Sequence, residues 1–180
     1  MHIRPVEIHG LFVVEPRIFG DDRGWFMETW HQGKFAAAGI AVDFVQDNHS
    51  RSVSRVLRGL HYQLRNPQGK LVRAARGEVW DVAVDLRRNS ATFGKTYSIR
   101  LSDENKLQFY IPPGFAHGFC VLSDEAEVIY KCTTLYDPAD ERTLLWNDPA
   151  LGIDWPVTDP LLSPKDLKGV PLAQAECFED

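Results

Sequence analysis

Short runs that alternate apolar and polar residues, broken at close intervals by glycine and proline, leave this chain few folds to choose from. In the run 79–86, Trp80, Val82, Val84 and Leu86 share one side and Asp81, Ala83 and Asp85 the other. Tyr97, Ile99 and Leu101 repeat the pattern, as do Leu107, Phe109 and Ile111, and Val128, Tyr130 and Cys132. Asn66-Pro67, Gly77, Gly94 and Pro112-Pro113-Gly114 mark turns between such runs. Many short strands with turn signals predict a sandwich or a closed barrel. Helix is confined to two places. Gln32 to Ala38 forms a short amphipathic stretch stopped by Gly39, and Ser163-Pro164 reads as a capped helix start. The proline-rich C-terminal stretch is expected to wrap the barrel. With 180 residues, no internal repeat and no linker-like segment, residues 1–180 read as one domain with a real core.

Charge and composition exclude some partners. A net charge of −5 gives no basic excess to neutralise phosphates, which argues against nucleic acid. No apolar run approaches the roughly 20 residues needed to span a bilayer, so no membrane partner is expected. The three cysteines, Cys120, Cys132 and Cys177, show no CxxC spacing, and no secretory apolar region is present. A reducing cytoplasm is therefore expected.

The chemistry gathers around two histidines. His61 lies in VLRGLHYQ and His117 in PPGFAHGF. A strand-borne histidine followed by PxGxxH is how small barrels of the cupin type build a metal site. Such a site would want His-x-His on the first strand, but the second position is Gln63, with no carboxylate nearby in sequence. The expectation is a pocket without metal or other cofactor, in which His61 is free to move protons. Strict alternation would put Arg58 and His61 on opposite faces; a bulge at Gly59 would bring them together.

Other residues each admit two roles. Tyr130 falls among Val128 and Cys132 on the expected inner face. It is either a core tyrosine with a satisfied hydroxyl or an acid facing His61 across a cavity. The second arrangement suits inversion at a carbon, with proton removal on one face and delivery on the other. Lys70 is either a solvated strand-end lysine or a cation that joins Arg58 in stabilising an oxyanion. Asp166 either complements a helix N-terminus or orients His61 as a His–Asp dyad.

In order along the chain, DDRGWFMETW, FVQDNHSRS, VLRGLHYQ, GEVWDVAVDLR with SATFG after it, YIPPGFAHGF and LSPKD together resemble the dTDP-4-dehydrorhamnose 3,5-epimerase family. The resemblance implies an all-β, cupin-type jelly-roll barrel with a few short helices at its periphery. It implies that His61 is the base, Asp166 its dyad partner and Tyr130 the general acid, with Lys70 near the C4 oxygen of the sugar. It places Arg58 and His117 around the sugar and diphosphate, Arg23 and Glu28 on the nucleotide, and Gln46, Asp47 and Asn48 in a polar loop at the site. Glu141 and Lys165 fall on ligand-contact positions, and Phe26 and Tyr136 are candidates for stacking on thymine. The segment CTTLYDPADE departs from the family pattern just before its Asp-Pro. The resemblance also implies a homodimer with exchanged strands and no cofactor. The implied reaction inverts C3 and C5 of dTDP-4-dehydro-6-deoxy-D-glucose through an enolate, giving dTDP-4-dehydro-L-rhamnose. Three rivals stand beside it: an epimerase acting at one carbon only, a metal-dependent cupin, and a sugar-nucleotide-binding module without catalysis.

Overall fold

A computed structural model describes residues 1–179 and contains two antiparallel sheets packed face to face. The six-stranded sheet runs in the order β1 (His2–Pro5), β2 (Phe12–Glu15), β10 (Gln108–Ile111), β7 (Lys70–Arg76), β12 (Glu125–Cys132) and β5 (Gln46–Val53). The five-stranded sheet runs β13 (Glu141–Thr143), β6 (Leu57–Gln63), β11 (Phe115–Val121), β8 (Glu78–Asp85) and β9 (Thr96–Ser102). The alternating runs predict a sandwich or barrel and the family resemblance a cupin-type jelly roll, and the paired sheets have that all-β architecture. A separate hairpin, β3 (Ile18–Asp21) and β4 (Gly24–Met27), stands off the barrel with Phe19, Trp25 and Phe26 about half exposed or more.

Both faces of the five-stranded sheet are buried, for different reasons. Val79 and Ala83 point inward and meet Val13, Val72, Phe109 and Val128 of the facing sheet. Val82, Val84 and Leu86 point outward, yet they are equally buried, because Leu151, Ala175 and Cys177 of the C-terminal segment cover them. The segment is tied down by parallel bridges Val56–Leu161, Leu144–Val170 and Arg87–Phe178. Each fully buried Val or Leu in this outer layer contributes on the order of 1.5–3 kcal/mol. That burial fixes where the segment's polar residues fall.

The short helix α1 (Gln32–Ala37) forms where the sequence predicts it. The His31 ring accepts a hydrogen bond from Lys34 N at its start. At its end Gly39 adopts φ +91°, Gly39 N bonds to Ala36 O, and Ile40 N bonds to Phe35 O at 2.9 Å. These are the two hydrogen bonds of a Schellman stop. Phe35 and Ile40 then pack on Val14, Leu71 and Tyr110, covering the outer face of the six-stranded sheet. The expected helix after Ser163 is only a 3-10 turn, Asp166–Lys168. Beyond it the chain must extend to pair Val170 with Leu144, and Gly169 lies so close that a Cβ there would sit 2.6 Å from Leu144 O.

Candidate active site

A cavity of about 490 Å³ lies between the two sheets, and a backbone irregularity shapes one wall of it. His61 pairs with His117, but Arg58 pairs with Phe119, so three steps on β6 oppose two on β11. The extra residue is a bulge at Gly59 and Leu60. It turns Arg58 and His61 to the same side, and both line the cavity. Only glycine fits: Gly59 has φ +117°, and a Cβ would lie 2.6 Å from Gly118 Cα and 2.7 Å from His117 O. Arg58 is held by its Nε–H, which donates to Ser52 Oγ at 3.0 Å.

The C-terminal segment supplies a carboxylate to the same wall. His61 Nε2 is 2.6 Å from Asp166 Oδ1. Gly59 N donates to the same oxygen at 3.3 Å, and the Ser163 hydroxyl donates to Oδ2 at 2.6 Å. Ser163 and Asp166 also cap one another, since Asp166 N donates to Ser163 Oγ and Ser163 N to Asp166 Oδ2. Asp166 thus turns one oxygen to His61 and the other to its own turn at Ser163. Burial opposes ionisation of Asp166. The hydrogen bonds from His61 and Ser163 outweigh it and hold the carboxyl at about 2. With Nε2 committed to Asp166, Nδ1 is the ring nitrogen left without a hydrogen-bond partner among the described residues.

The facing wall belongs to the six-stranded sheet. Cys132 pairs with Lys70, and Tyr130 with Val72, so Tyr130 and Lys70 emerge side by side into the cavity. Burial pushes the Tyr130 phenol upward, which keeps it protonated at neutral pH. Lys70 is 9% exposed and has no hydrogen bond or ion pair among the described residues. Burial pulls its ammonium down, while Cys132, Asp81 and Glu141 oppose the shift. Opposite, His117 Nε2 lies 3.0 Å from both carboxylate oxygens of the fully buried Asp81. Burial drives His117 toward its neutral form, against the pull of Asp81.

A polar rim surrounds the mouth. Tyr136 N donates to Gln46 Oε1 at 2.8 Å, and Gln46 Nε2 donates to Asn48 Oδ1 at 3.1 Å. The Tyr136 hydroxyl donates to Glu141 Oε2 at 2.9 Å, and Lys165 Nζ donates to both Glu141 oxygens at 2.8 Å.

Residues 5–174 match the family model described as dTDP-4-dehydrorhamnose 3,5-epimerase. The chain belongs to this family. It is 60% identical over 173 residues to the dTDP-4-dehydrorhamnose 3,5-epimerase of Pseudomonas aeruginosa, covering 95% of this chain and 96% of that one. It is also similar to a dTDP-4-dehydrorhamnose 3-epimerase of Streptomyces niveus, 42% identical over 177 residues, covering 97% and 86% of the two chains. Among solved structures, the dTDP-6-deoxy-D-glucose-3,5-epimerase of Legionella pneumophila in complex with dTDP-4-keto-L-rhamnose superposes with a TM-score of 0.96. The two share 47% identity, and the match covers 99% of this chain and 98% of that one.

Most of the residues implied by the family resemblance meet in this cavity. His61, Asp166, Arg58 and His117 come from the five-stranded sheet and its covering segment; Tyr130, Lys70, Gln46 and Asn48 come from the six-stranded sheet. Glu141, Lys165 and Tyr136 form the rim. Asp47 does not line the cavity: alternation along β5 turns it to the outer face, where Lys131 Nζ donates to it at 2.9 Å. Arg23 sits at the tip of the β3–β4 hairpin, paired with Asp21, and Phe26 is 68% exposed on the same hairpin. Glu28 follows the hairpin, ion-paired to Lys34 at 2.6 Å. Ser50, Gln68, Phe119 and Ser163, none of them a candidate from sequence for the site, also line the cavity. Ser50 continues the alternation Gln46, Asn48, and Phe119 follows His117 by two, so period-2 counting would have found both. Gln63 is committed elsewhere: its amide donates to Asn66 O at 2.8 Å and accepts from Asp137 N at 2.9 Å, fastening the adjoining loop.

Proposed function

We propose that this protein inverts C3 and C5 of dTDP-4-dehydro-6-deoxy-D-glucose, yielding dTDP-4-dehydro-L-rhamnose. The observation that carries the mechanism is the division of the cavity walls. The His61–Asp166 pair lies on one sheet, and Tyr130 and Lys70 lie together on the other. A ketosugar ring between them has a base on one face and an acid on the other.

The C4 ketone acidifies the hydrogens on C3 and C5, but histidine alone removes them slowly. Lys70 stabilises the C4 oxygen as charge develops; one oxyanion donor is typically worth about 2.7–4 kcal/mol. His61 Nδ1 takes the proton while Asp166 holds the imidazole and balances the imidazolium. Tyr130, neutral at pH 7, delivers a proton to the opposite face. His61 then loses its proton to solvent and Tyr130 regains one from it, and repetition at the second carbon completes the double inversion. Arg58 holds the diphosphate by charge-assisted bonds, neutral His117, its Nε2–H turned to Asp81, accepts from a sugar hydroxyl at Nδ1, and Gln46 and Asn48 contact the nucleotide.

Arg23, Glu28 and Phe26 fit this reading if the protein is a homodimer with exchanged strands. In that arrangement the exposed hairpin carries them to the neighbouring copy's cavity. The three free, buried cysteines fit a reducing cytoplasm. No helix of the described residues is long and apolar enough to cross a membrane.

The test is incubation with the ketosugar nucleotide in deuterium oxide. Deuterium should enter at C3 and C5, and a coupled ketosugar reductase should consume NADPH. Incorporation at one carbon alone would establish a single-site epimerase, and binding without incorporation would establish a module that does no catalysis.

A further inference from the structure

The inward row of β5 contains one hydroxyl that no other described residue satisfies. Gln46 bonds to Tyr136 N and Asn48, Asn48 Nδ2 contacts Cys132 Sγ, and Ser52 Oγ accepts from Arg58. Ser50 Oγ, between them, is buried and has no hydrogen-bond partner among the described residues. Among the described residues only one other buried side-chain atom shares that state, Trp80 Nε1, and Trp80 does not border the cavity. Ser50 does border it, with its hydroxyl turned into the wall, so a rotation about χ1 is what presents the hydroxyl to a ligand. On β12 it pairs with Val128, while its neighbour Asn48 pairs with Tyr130, so Ser50 lies one diagonal step from the proposed acid.

A buried hydroxyl without a partner destabilises a protein relative to alanine at the same place. In a purely structural role Ser50 would therefore be worse than alanine. A ligand hydroxyl placed against it removes that penalty. Resting on the reading of the preceding section, the substrate has two reactive carbons that differ in one respect. C3 carries a hydroxyl, whereas C5 carries a methyl group and the ring oxygen. Of the two, only C3 carries a hydroxyl, which can both donate to and accept from Ser50; the ring oxygen at C5 is an acceptor alone.

We propose that Ser50 is a specificity-determining residue whose Oγ hydrogen-bonds the C3 hydroxyl and positions C3 beside Tyr130. A rotatable serine hydroxyl donates and accepts, so it serves O3 before and after inversion. Ser50 then bears on exchange at C3 and leaves C5 to the residues that hold the ring as a whole.

Ser50→Ala separates these roles. Deuterium uptake at C3 and C5 is followed separately by NMR, with kcat, KM and the melting temperature measured on the same protein. The expected result is a melting temperature equal to or above that of the wild type, with the C3 rate reduced about 3- to 10-fold relative to C5, as for loss of one neutral hydrogen bond. Ser50→Thr, which keeps the hydroxyl on a strand that accepts β-branching, should restore the ratio. Should Ser50→Ala fail to fold, Ser50→Cys supplies a near-isosteric loss of the strong donor. An unchanged C3-to-C5 ratio in the folded variant overturns the assignment while leaving the epimerase reading intact. Wild-type protein that exchanges at neither carbon overturns both.

Discussion

His61 Nε2 and Asp166 Oδ1 lie 2.6 Å apart although 105 residues separate them in the chain. The contact exists because the C-terminal segment is pinned across the five-stranded sheet on both sides of the Ser163–Asp166 turn. It fixes which imidazole nitrogen is free. Asp166→Asn keeps the shape but removes the charge that balances imidazolium, so kcat should fall on the order of 10²- to 10⁴-fold with KM little changed. His61→Ala should abolish exchange into both carbons. Deuterium uptake by His61→Ala at the wild-type rate would rule out its role as base.

The same carboxylate makes stability depend on acid pH. Its folded-state value of about 2 lies below the 3.8 of an unperturbed aspartate. A depressed carboxyl contributes stability that is fully present above the unfolded value and lost as pH falls through the folded one. The contribution is on the order of 2 kcal/mol. Urea unfolding should therefore show Asp166→Asn well below wild type at pH 6, with the gap closing between pH 4 and pH 2. A gap independent of pH would show that the ionised dyad is not its source.

Much of this was legible in the sequence because period-2 alternation reports directly on strands. The run 79–86, the Gly59 bulge and the stop at Gly39 all reached the structure as expected. The burial of both faces around Val82 and Val84 was harder to see, since the covering layer comes from a proline-rich segment far along the chain. The two partners of Asp166 were open for the same reason: local pattern gives the cap, and only tertiary packing gives His61. Asp47 shows the opposite case, where alternation along β5 turns a family-matched residue away from the cavity. The pairing of His117 with Asp81 had no sequence signal beyond a polar residue in an apolar strand.

Lys70 should trade stability for activity. It is a buried cation whose ammonium has no partner among the described residues, and burial already pulls it down. Lys70→Met keeps the length of the side chain and removes the desolvation cost. Its melting temperature should rise, while kcat should fall about 10²- to 10³-fold through loss of the oxyanion donor. A variant that is both stabilised and fully active would remove Lys70 from the chemistry.

Tyr130 should separate proton removal from proton delivery. Its phenol opens onto the cavity from the wall facing His61. Tyr130→Phe leaves the base intact, so enolate formation continues and the proton returns from the His61 side. Washout of label from C3 and C5 should persist while inverted product falls sharply. Equal losses of washout and inversion would mean that tyrosine also serves the deprotonation step.

Arg23 provides a test of assembly as well as of binding. It lies outside the cavity on a hairpin whose Phe19, Trp25 and Phe26 are exposed. A site completed by a neighbour's hairpin predicts complementation between two inactive variants. In a hybrid of Arg23→Ala with His61→Ala, one cavity carries both defects and the other carries neither. Random reassortment makes half of all dimers hybrids, so mixing should restore about a quarter of wild-type activity from variants that are each nearly inactive. If Arg23 served its own cavity, each hybrid site would carry one defect and nothing would be regained. Activity that returns only after subunits are unfolded and refolded together would further tie the effect to strands exchanged between copies.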